Sequence, residues 1–573
     1  MRNNKDNYNT RILIATLLST LLMVLWVRFY GKRTIPNVEK KENIEIKQEI
    51  AKNTQKEELV NAKIKAEEKN LTKAEEQNLE DKFLIIETEK LKGSINLRGL
   101  FFNNLELEDY KKEINSNERV QLLSKETNKS GYYVELGWES NDKTLDLPTK
   151  DTVWTTNSEK LTVNNPVILS YTSKDDIIFQ VIISIDKDYM FNFRQVVINN
   201  TDRVISLNVL NKIVRNEATA EETSAGVHEG FIGSFNNTIE EVKYKKLQKK
   251  DFYFTKNFSW AGFTGKYWLV SLASMQKNNA NFEVETGYKN KDYVINFKSS
   301  EIILKPQQEN EISSLLFSGP KILSLLDQYA FQYDLSLFDR SVDFGWFYFL
   351  TKPIYILLKM FYGFFGNFGV AILFLTFVVK FIMYPFTKKS YISMARLKSL
   401  QPKIDSIKSR YGDDKMKVNT ELIELYKKEN ISPLSGCLPM LVQIPVFFSL
   451  YKVLVISIDM RQAPFFGYIK NLASKDPTTI WNLFGLLPYT VKFLPIGLLP
   501  CLMGLTMWIQ QKMSATTSSS QDTQTATKVM PIIFLLMFAG MPAGLLIYWT
   551  FSNILTIAQQ YYVERILLKK TNK

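Results

Sequence analysis

The strongest chemical demand in this chain comes from Lys380, a single charge within the apolar stretch Phe368 to Tyr384, with Thr376 one helical turn before it on the same face. An ammonium at the centre of a bilayer helix costs roughly 2.5–3.5 kcal/mol, so one is retained where it snorkels, pairs or meets water in a functional cavity. Snorkelling is open to it, because at a rise of about 1.5 Å per residue Lys380 stands only about 6 Å from Tyr384. Gln443, Gln510, Ser552 and Asn553 are polar groups within or at the ends of other apolar runs. They suit either a hydrophilic groove or hydrogen bonds between helices. Covalent chemistry has few candidates. His228 is the sole histidine, so a Ser-His-Asp triad has one possible base and a multi-histidine metal site has none. Its setting, Gly226-Val227-His228-Glu229-Gly230, has loop texture and predicts a solvent-facing ring. Gly262-Phe263-Thr264-Gly265-Lys266 resembles half a phosphate loop but lacks the four-residue spacing, and its aromatic neighbours fit a hairpin. The expectation is a protein that is not an enzyme and carries no metal or cofactor.

The elements that must hold these groups follow from hydropathy. The chain has 573 residues, 45% hydrophobic and 23% charged, averaged over two solvents. Residues 1–345 hold one long apolar run, Ile12 to Val27, and the remainder holds runs at 368–384, 437–458, 494–511, 530–541 and 543–562. That predicts a polytopic membrane region. Ile12 to Val27 follows Arg2, Lys5 and Arg11, but Arg28, Phe29 and Tyr30 stand where cleavage needs small residues, so residues 1–30 read as an uncleaved signal anchor. Orientation comes from residues 386–430, which carry 11 Lys/Arg: Lys388, Lys389, Arg396, Lys398, Lys403, Lys408, Arg410, Lys415, Lys417, Lys427 and Lys428. The positive-inside rule puts that loop in the cytoplasm, the region 31–340 outside and both termini inside, with six spans. Cys437 and Cys501 both fall in spans, so the exported region has no disulfide framework.

The exported region divides into a charged tether, 31–82, dense in Lys and Glu, and an all-β domain, 83–340, expected to be a large sandwich. Strands are predicted at 132–136, 167–171, 177–185, 191–198, 204–210, 267–272, 293–297 and 302–304. Residues 341–366, aromatic and containing Lys352 and Lys359, predict a helix lying in the headgroup plane. The first span of the helical region is placed at 367–385 and a cytoplasmic hairpin at 386–432. In that hairpin Leu397, Leu400, Ile404, Ile407 and Tyr411 would face Val418, Leu422 and Leu425, with Gly412 ending one helix and Asp413 or Asp414 capping the next. The remaining elements are spans at 437–458, 494–511, 530–541 and 543–562, an exported loop at 459–493, a cytoplasmic loop at 512–529 and a basic tail at 563–573. The short 530–541 run implies a locally thinned bilayer.

Several motifs together resemble one family. Gly366-Asn367-Phe368-Gly369 through Thr376 and Lys380 to Tyr384-Pro385-Phe386-Thr387-Lys388 is similar to the second span of the YidC membrane insertases of the Oxa/Alb family. So are Met394-Ala395-Arg396-Leu397 with Leu400-Gln401-Pro402-Lys403-Ile404, Tyr411-Gly412-Asp413-Asp414-Lys415, and Pro433-Leu434-Ser435-Gly436-Cys437-Leu438-Pro439 with Gln443-Ile444-Pro445. Arg461-Gln462-Ala463-Pro464-Phe465 and Pro542-Ala543-Gly544-Leu545-Leu546-Ile547-Tyr548-Trp549 with Ser552-Asn553 complete the set, which runs in family order over about 340–565. The resemblance implies an α+β multidomain membrane protein of the Gram-negative type: six transmembrane helices with a five-helix core, an exported β-sandwich and a cytoplasmic helical hairpin. It implies a hydrophilic groove, open to cytoplasm and lipid, lined by Lys380, Thr376, Gln443, Gln510, Tyr548, Trp549, Ser552 and Asn553. Family members usually carry Arg at the position of Lys380; a point charge still attracts acidic segments but lacks the bidentate fork. Implied partners are nascent membrane proteins, the Sec translocon (SecYEG and SecDF), the ribosome, the signal recognition particle and its receptor, and the lipid bilayer of the inner membrane. Contacts on the hairpin side would be Lys388, Lys389, Arg396, Lys398, Lys403, Lys408 and Arg410.

Two other classes fit parts of the sequence. A solute transporter could use prolines 439, 445, 495, 500, 531 and 542 to break helices, although no internal repeat is visible. A carbohydrate-active envelope protein could reside in the sandwich.

Overall fold

The computed structural model describes residues 82–126, 129–220, 227–255, 257–275, 282–412, 414–429, 438–487, 496–514 and 521–567. The signal anchor, the tether up to residue 81, Cys437 and the end of the basic tail lie outside the described residues. The chain forms two compact units, one running to Gly319 and taking in Tyr329–Phe338, the other made of Pro320–Gln328 and the chain from Asp339 onward.

The first unit is β-rich. Its strands form where apolar residues alternate. In Ile177–Ile185 the side chains of Ile177, Phe179, Val181, Ile183 and Ile185 are buried while those between them are half-exposed. This strand pairs antiparallel with Met190–Asn199, placing Ile185 opposite Phe191. The turn between them is held by the Asp186 carboxylate, which accepts the N–H groups of Asp188 (2.8 Å) and Met190 (3.0 Å). The larger sheet runs from the edge strand Phe252–Phe254 through Phe282–Lys289, Asp292–Ser299, Ile205–Asn216, Lys129–Glu135, Arg119–Glu126, Phe101–Lys111 and Leu91–Asn96 to Phe83–Glu87 and Lys160–Leu161. The smaller runs from Thr238–Lys243 through Gly230–Phe235, Phe258–Thr264, Trp268–Ser274, Gln308–Pro320, Met190–Asn199, Ile177–Ile185 and Val167–Thr172 to Thr155–Thr156.

The two sheets pack face to face. Phe102 of the larger lies edge-on to Phe191 of the smaller, 5.2 Å between centroids, and Phe258 contacts Phe297 at 5.7 Å. Polar links also cross the core, among them Asn211 Nδ2 to Gln195 Oε1 at 2.9 Å, both side chains buried. The half phosphate loop is indeed the hairpin between Phe258–Thr264 and Trp268–Ser274. His228 differs from expectation: it is 6% exposed, with Nε2 2.8 Å from the Phe231 carbonyl oxygen. Its neighbours lead into the fully buried strand Gly230–Phe235, which carries the ring inside.

The second unit is helical. Helix α1, Tyr348–Phe365, ends at Gly366, whose left-handed φ of 64° stops it, and α2 begins at once because the Asn367 side chain accepts the N–H groups of Gly369 (2.8 Å) and Val370 (3.2 Å). The two are thus separate helices. Helix α2, Phe368–Ser399, runs past the end of the span expected at residue 385 and continues through Pro385 for about four more turns. Proline removes one backbone donor, and the turn beyond it is held by the Thr387 hydroxyl, which donates to the carbonyls of Met383 (3.3 Å) and Tyr384 (3.2 Å). Among the described helices α2 alone is both long and apolar enough to cross a bilayer, while Gln443–Ile456 and Val529–Phe538 are shorter apolar helical stretches.

Helices α3, Gln401–Tyr411, and α4, Lys415–Lys428, form the hairpin. Leu397, Leu400, Ile404 and Leu422 make its buried seam, with Ile407, Val418, Leu425 and Tyr426 against it. Asp414 is the residue that caps α4, accepting the Lys417 N–H at 3.1 Å. Helices α5, Leu438–Ile456, α6, Leu498–Ser514, α7, Gln521–Phe538, and α8, Ala543–Tyr562, follow. Helix α7 takes in most of the run expected at 530–541 and the end of the loop expected at 512–529, since its polar first turns extend it back to Gln521 and give it 18 residues. A hydropathy reading sees only its apolar half.

The loop before α6 supplies caps for two helices. Asp476 Oδ2 accepts the Leu499 N–H at 2.8 Å and Thr478 Oγ1 the Leu498 N–H at 2.9 Å. The carbonyls of Ser474 and Leu472 accept the first N–H groups of α8, from Ala543 and Gly544, at 2.7 and 3.0 Å. Gly544 sits close to its neighbours, since a Cβ there would meet Leu454 Cδ2 at 2.9 Å and the Leu472 carbonyl oxygen at 3.2 Å.

Candidate functional site

Five helices of the second unit enclose a cavity of about 220 Å³. Helix α2 contributes Lys380, Tyr391 and Met394, α5 contributes Gln443, Ile444 and Phe447, and α6 contributes Met507, Gln510 and Gln511. Met530 comes from α7. Helix α8 supplies Trp549, Ser552, Asn553, Thr556 and Gln560, whose spacings of three and four put them on one face.

The polar side of the cavity is organised around the ammonium. Lys380 is half-buried, and its Nζ donates to Thr556 Oγ1 at 2.9 Å. The single hydroxyl hydrogen of Thr556 is given to the Ser552 carbonyl at 2.8 Å, so towards Lys380 this side chain can only accept. A second link joins the same helices, from Gln559 Nε2 to the Lys380 carbonyl at 3.3 Å. An ammonium has three donors; among the described residues Lys380 has this one side-chain acceptor and no carboxylate within ion-pair distance. Asn553 Nδ2 donates to Thr506 Oγ1 at 3.1 Å, and Gln443 donates to the Tyr548 hydroxyl. The lining also holds aromatic rings: Trp549 meets Phe447 edge-on at 4.7 Å, and behind them Trp549 lies 5.0 Å from Phe538. A lining that is positive and hydrogen-bonding as well as aromatic suits a chain segment that carries both kinds of group.

Of the eight groove residues expected from sequence, Lys380, Gln443, Gln510, Trp549, Ser552 and Asn553 line the cavity. Thr376 does not: it is 1% exposed and its hydroxyl donates to the Ile372 carbonyl of its own helix at 2.6 Å. Tyr548 is buried behind the wall as the partner of Gln443. Thr556 and Gln560 were missed, although both follow Ser552 at four-residue steps on the same face.

The basic residues expected on the hairpin divide between elements. Lys388, Lys389, Arg396 and Lys398 belong to the long continuation of α2, and Lys403, Lys408 and Arg410 to α3. Lys403 pairs with Glu429 at 2.9 Å across the hairpin, while Lys389, Arg396, Lys398 and Arg410 are exposed.

A family model described as 60Kd inner membrane protein matches residues 360–571, and one described as YidC periplasmic domain matches residues 84–357. The chain is 44% identical over 488 residues to the membrane protein insertase YidC of Rickettsia africae (strain ESF-5), covering 84% of this chain and 87% of the relative. It is 43% identical over 487 residues to the protein so described in Rickettsia bellii (strain OSU 85-389), with the same coverage of 84% and 87%. A crystal structure described as an active YidC insertase with the first transmembrane domain resolved is similar over 84% of this chain and 95% of that one, at 18% identity and a TM-score of 0.35.

Proposed function

The chain belongs to the YidC family of membrane protein insertases, and from that premise we propose that it inserts nascent proteins into the inner membrane through the cavity at Lys380. The observation that carries the reading is an ammonium, half-buried and without a carboxylate partner among the described residues, at the wall of a cavity that amides, hydroxyls and the aromatic rings of Phe447 and Trp549 also line. A hydrophilic flank of a nascent chain enters from the cytoplasm, where the 11 Lys/Arg of residues 386–430 place the hairpin side. Lys380 attracts its acidic groups, and the amides and hydroxyls of Gln443, Gln510, Ser552 and Asn553 replace part of its hydration. The adjoining apolar segment then partitions into lipid, and burial of its surface drives release. No bond is made or broken.

In this reading the chain crosses the membrane six times with both ends in the cytoplasm, and the β-rich unit is exported. The exposed basic residues Lys389, Arg396, Lys398 and Arg410 are placed to meet the ribosome, the signal recognition particle and its receptor, or anionic headgroups. The Sec translocon is a partner for larger substrates, and the insertase also assists their folding as a chaperone. The test is reconstitution of the purified chain with a single-span substrate whose exported flank is acidic. Lys380→Arg retains insertion and Lys380→Glu abolishes it, because the reversed charge repels the flank; normal insertion by the Glu variant would remove the ammonium from the mechanism.

A further inference from the structure

The β-rich unit carries a half-buried cation that the insertion pathway does not use. Arg215 occupies the last inward-facing position of strand Ile205–Asn216, following Asn211 and Ile213, and stands opposite Tyr132 in the register of the neighbouring strand. Its guanidinium carbon lies 4.8 Å from the Tyr132 ring centroid and 5.6 Å from that of Tyr244. Nη1 donates to the Tyr244 hydroxyl at 2.8 Å and Nη2 to the Thr219 carbonyl at 2.6 Å. Both acceptors are neutral, and Nε is buried without a partner among the described residues. Arg215 makes no ion pair among the described residues; the buried carboxylate of Glu229 acts on it only at longer range. A half-buried guanidinium with its Nε out of reach of solvent and no carboxylate beside it among the described residues keeps donors for a counter-charge.

The space for that counter-charge is present. Arg215 opens on a cavity of about 550 Å³ between the ends of the two sheets, a size that accommodates a small organic molecule. Tyr132, Phe263 and Trp268 form apolar walls, Trp268 being held edge-on to Tyr110 at 5.3 Å. Lys112 at the rim is the other charged lining residue among the described residues; it pairs with Glu118 at 3.0 Å, and no carboxylate among the described residues lines the cavity. We propose that this cavity is a binding site for a carboxylate carried on an apolar or aromatic body, the carboxylate meeting the free donors of Arg215 and the body lying against Phe263 and Trp268. A guanidinium presents five donors in a plane matched to a carboxylate, and two of Arg215's are occupied by Tyr244 and Thr219. The proposal is independent of the insertion reading, since every residue it uses lies outside the helical unit.

The experiment is calorimetric titration of the full-length protein in lipid nanodiscs with N-acetyl-phenylalanine and with its primary amide. The acid binds saturably, and the amide binds at least about tenfold more weakly, the loss expected when a charge-assisted hydrogen bond is removed. Arg215→Met abolishes binding of the acid. Because that change could unsettle the sheet ends, Gln121→Trp serves as a second variant: Gln121 is an exposed strand residue at the cavity wall, and the larger side chain plugs the space with Arg215 intact. It too abolishes binding, with its unfolding midpoint unchanged. A pentapeptide ending in phenylalanine separates two sources of the same chemistry, binding more tightly than the free acid if the natural ligand is a chain terminus and more weakly if it is a small molecule. Equal binding of acid and amide, absence of saturable binding by either, or native affinity in Gln121→Trp would each overturn the proposal.

Discussion

At the scale of single residues, the direction of the Thr556–Lys380 hydrogen bond decides what Thr556 does. Because Thr556 spends its hydrogen on Ser552, it holds the ammonium by acceptance alone. Thr556→Val keeps the shape and deletes the acceptor, and hydrogen bonds to charged groups are worth about 1.5–3 kcal/mol. The expected result is an insertion rate reduced about tenfold, with the unfolding midpoint unchanged and with rescue by Thr556→Ser; a Ser variant as slow as Val would make Thr556 a packing residue. This pair also marks how far the site was legible. Lys380 announces itself as a charge in an apolar run, and Gln443, Gln510, Ser552 and Asn553 as amides and a hydroxyl where few belong. Thr556 gives no such signal, since threonine in a membrane helix ordinarily bonds its own backbone, as Thr376 does here. Which of two threonines turns its oxygen to a cation depends on packing between α2 and α8, a distance of 176 residues in the chain.

At the scale of elements, spacing was a good guide where packing obeys one period and a poor one where a local signal is overridden. The hairpin seam of Leu397, Leu400, Ile404 and Leu422 follows from steps of three and four residues, and the structure buries that set. Ile404, 1% exposed, is its centre, so Ile404→Ala should cost about 2–5 kcal/mol and show as faster hydrogen exchange across Gln401–Lys428. Helix α2 also runs through Pro385, a residue type that usually stops a helix, and the Thr387 hydroxyl donates to the carbonyls of Met383 and Tyr384 in the turn around it. Helix α1 offers an electrostatic test outside the spans. Lys352 Nζ lies 2.8 Å from Asp327 and 2.9 Å from Asp339, and Tyr348 donates to Asp339 as well. Burial raises the Asp339 carboxyl, but the hydrogen bonds from Tyr348 and Lys352 outweigh it and hold it below its ordinary range. A lowered folded value means stability that is present above the ordinary carboxylate pKa and lost as pH falls through the folded one. Exchange protection of Tyr348–Phe365 should therefore fall as the pH drops below the ordinary carboxylate range, and Asp339→Asn should flatten that dependence while lowering protection at neutral pH. An unchanged acid limb in the variant would assign the loss to another carboxylate.

At the scale of the whole molecule, the sequence divides by solvent and the structure divides by core. Strands with clean alternation, such as Ile177–Ile185, were readable, whereas Gly230–Phe235 is buried on both faces and carries two glycines, and Thr238–Lys243 is mostly exposed and charged. Neither of these shows period two, so neither declares itself before its partners are known. Each unit closes its core with its own residues: Phe102 packs on Phe191 and Asn211 reaches Gln195 in the β-rich unit, while the residues lining the Lys380 cavity all fall between Lys380 and Gln560. Removing residues 83–319 thus deletes no lining residue and leaves Asp327 in place for Lys352. The shortened protein should retain insertion of the single-span substrate and the sensitivity of that insertion to Lys380→Glu. Removing 83–335 also takes Asp327, so insertion should persist while exchange protection of α1 falls, with one of the two carboxylates beside Lys352 gone. Loss of insertion in both deletions, with the helical unit still present in the membrane at wild-type amount, would mean that the β-rich unit takes part in moving the substrate.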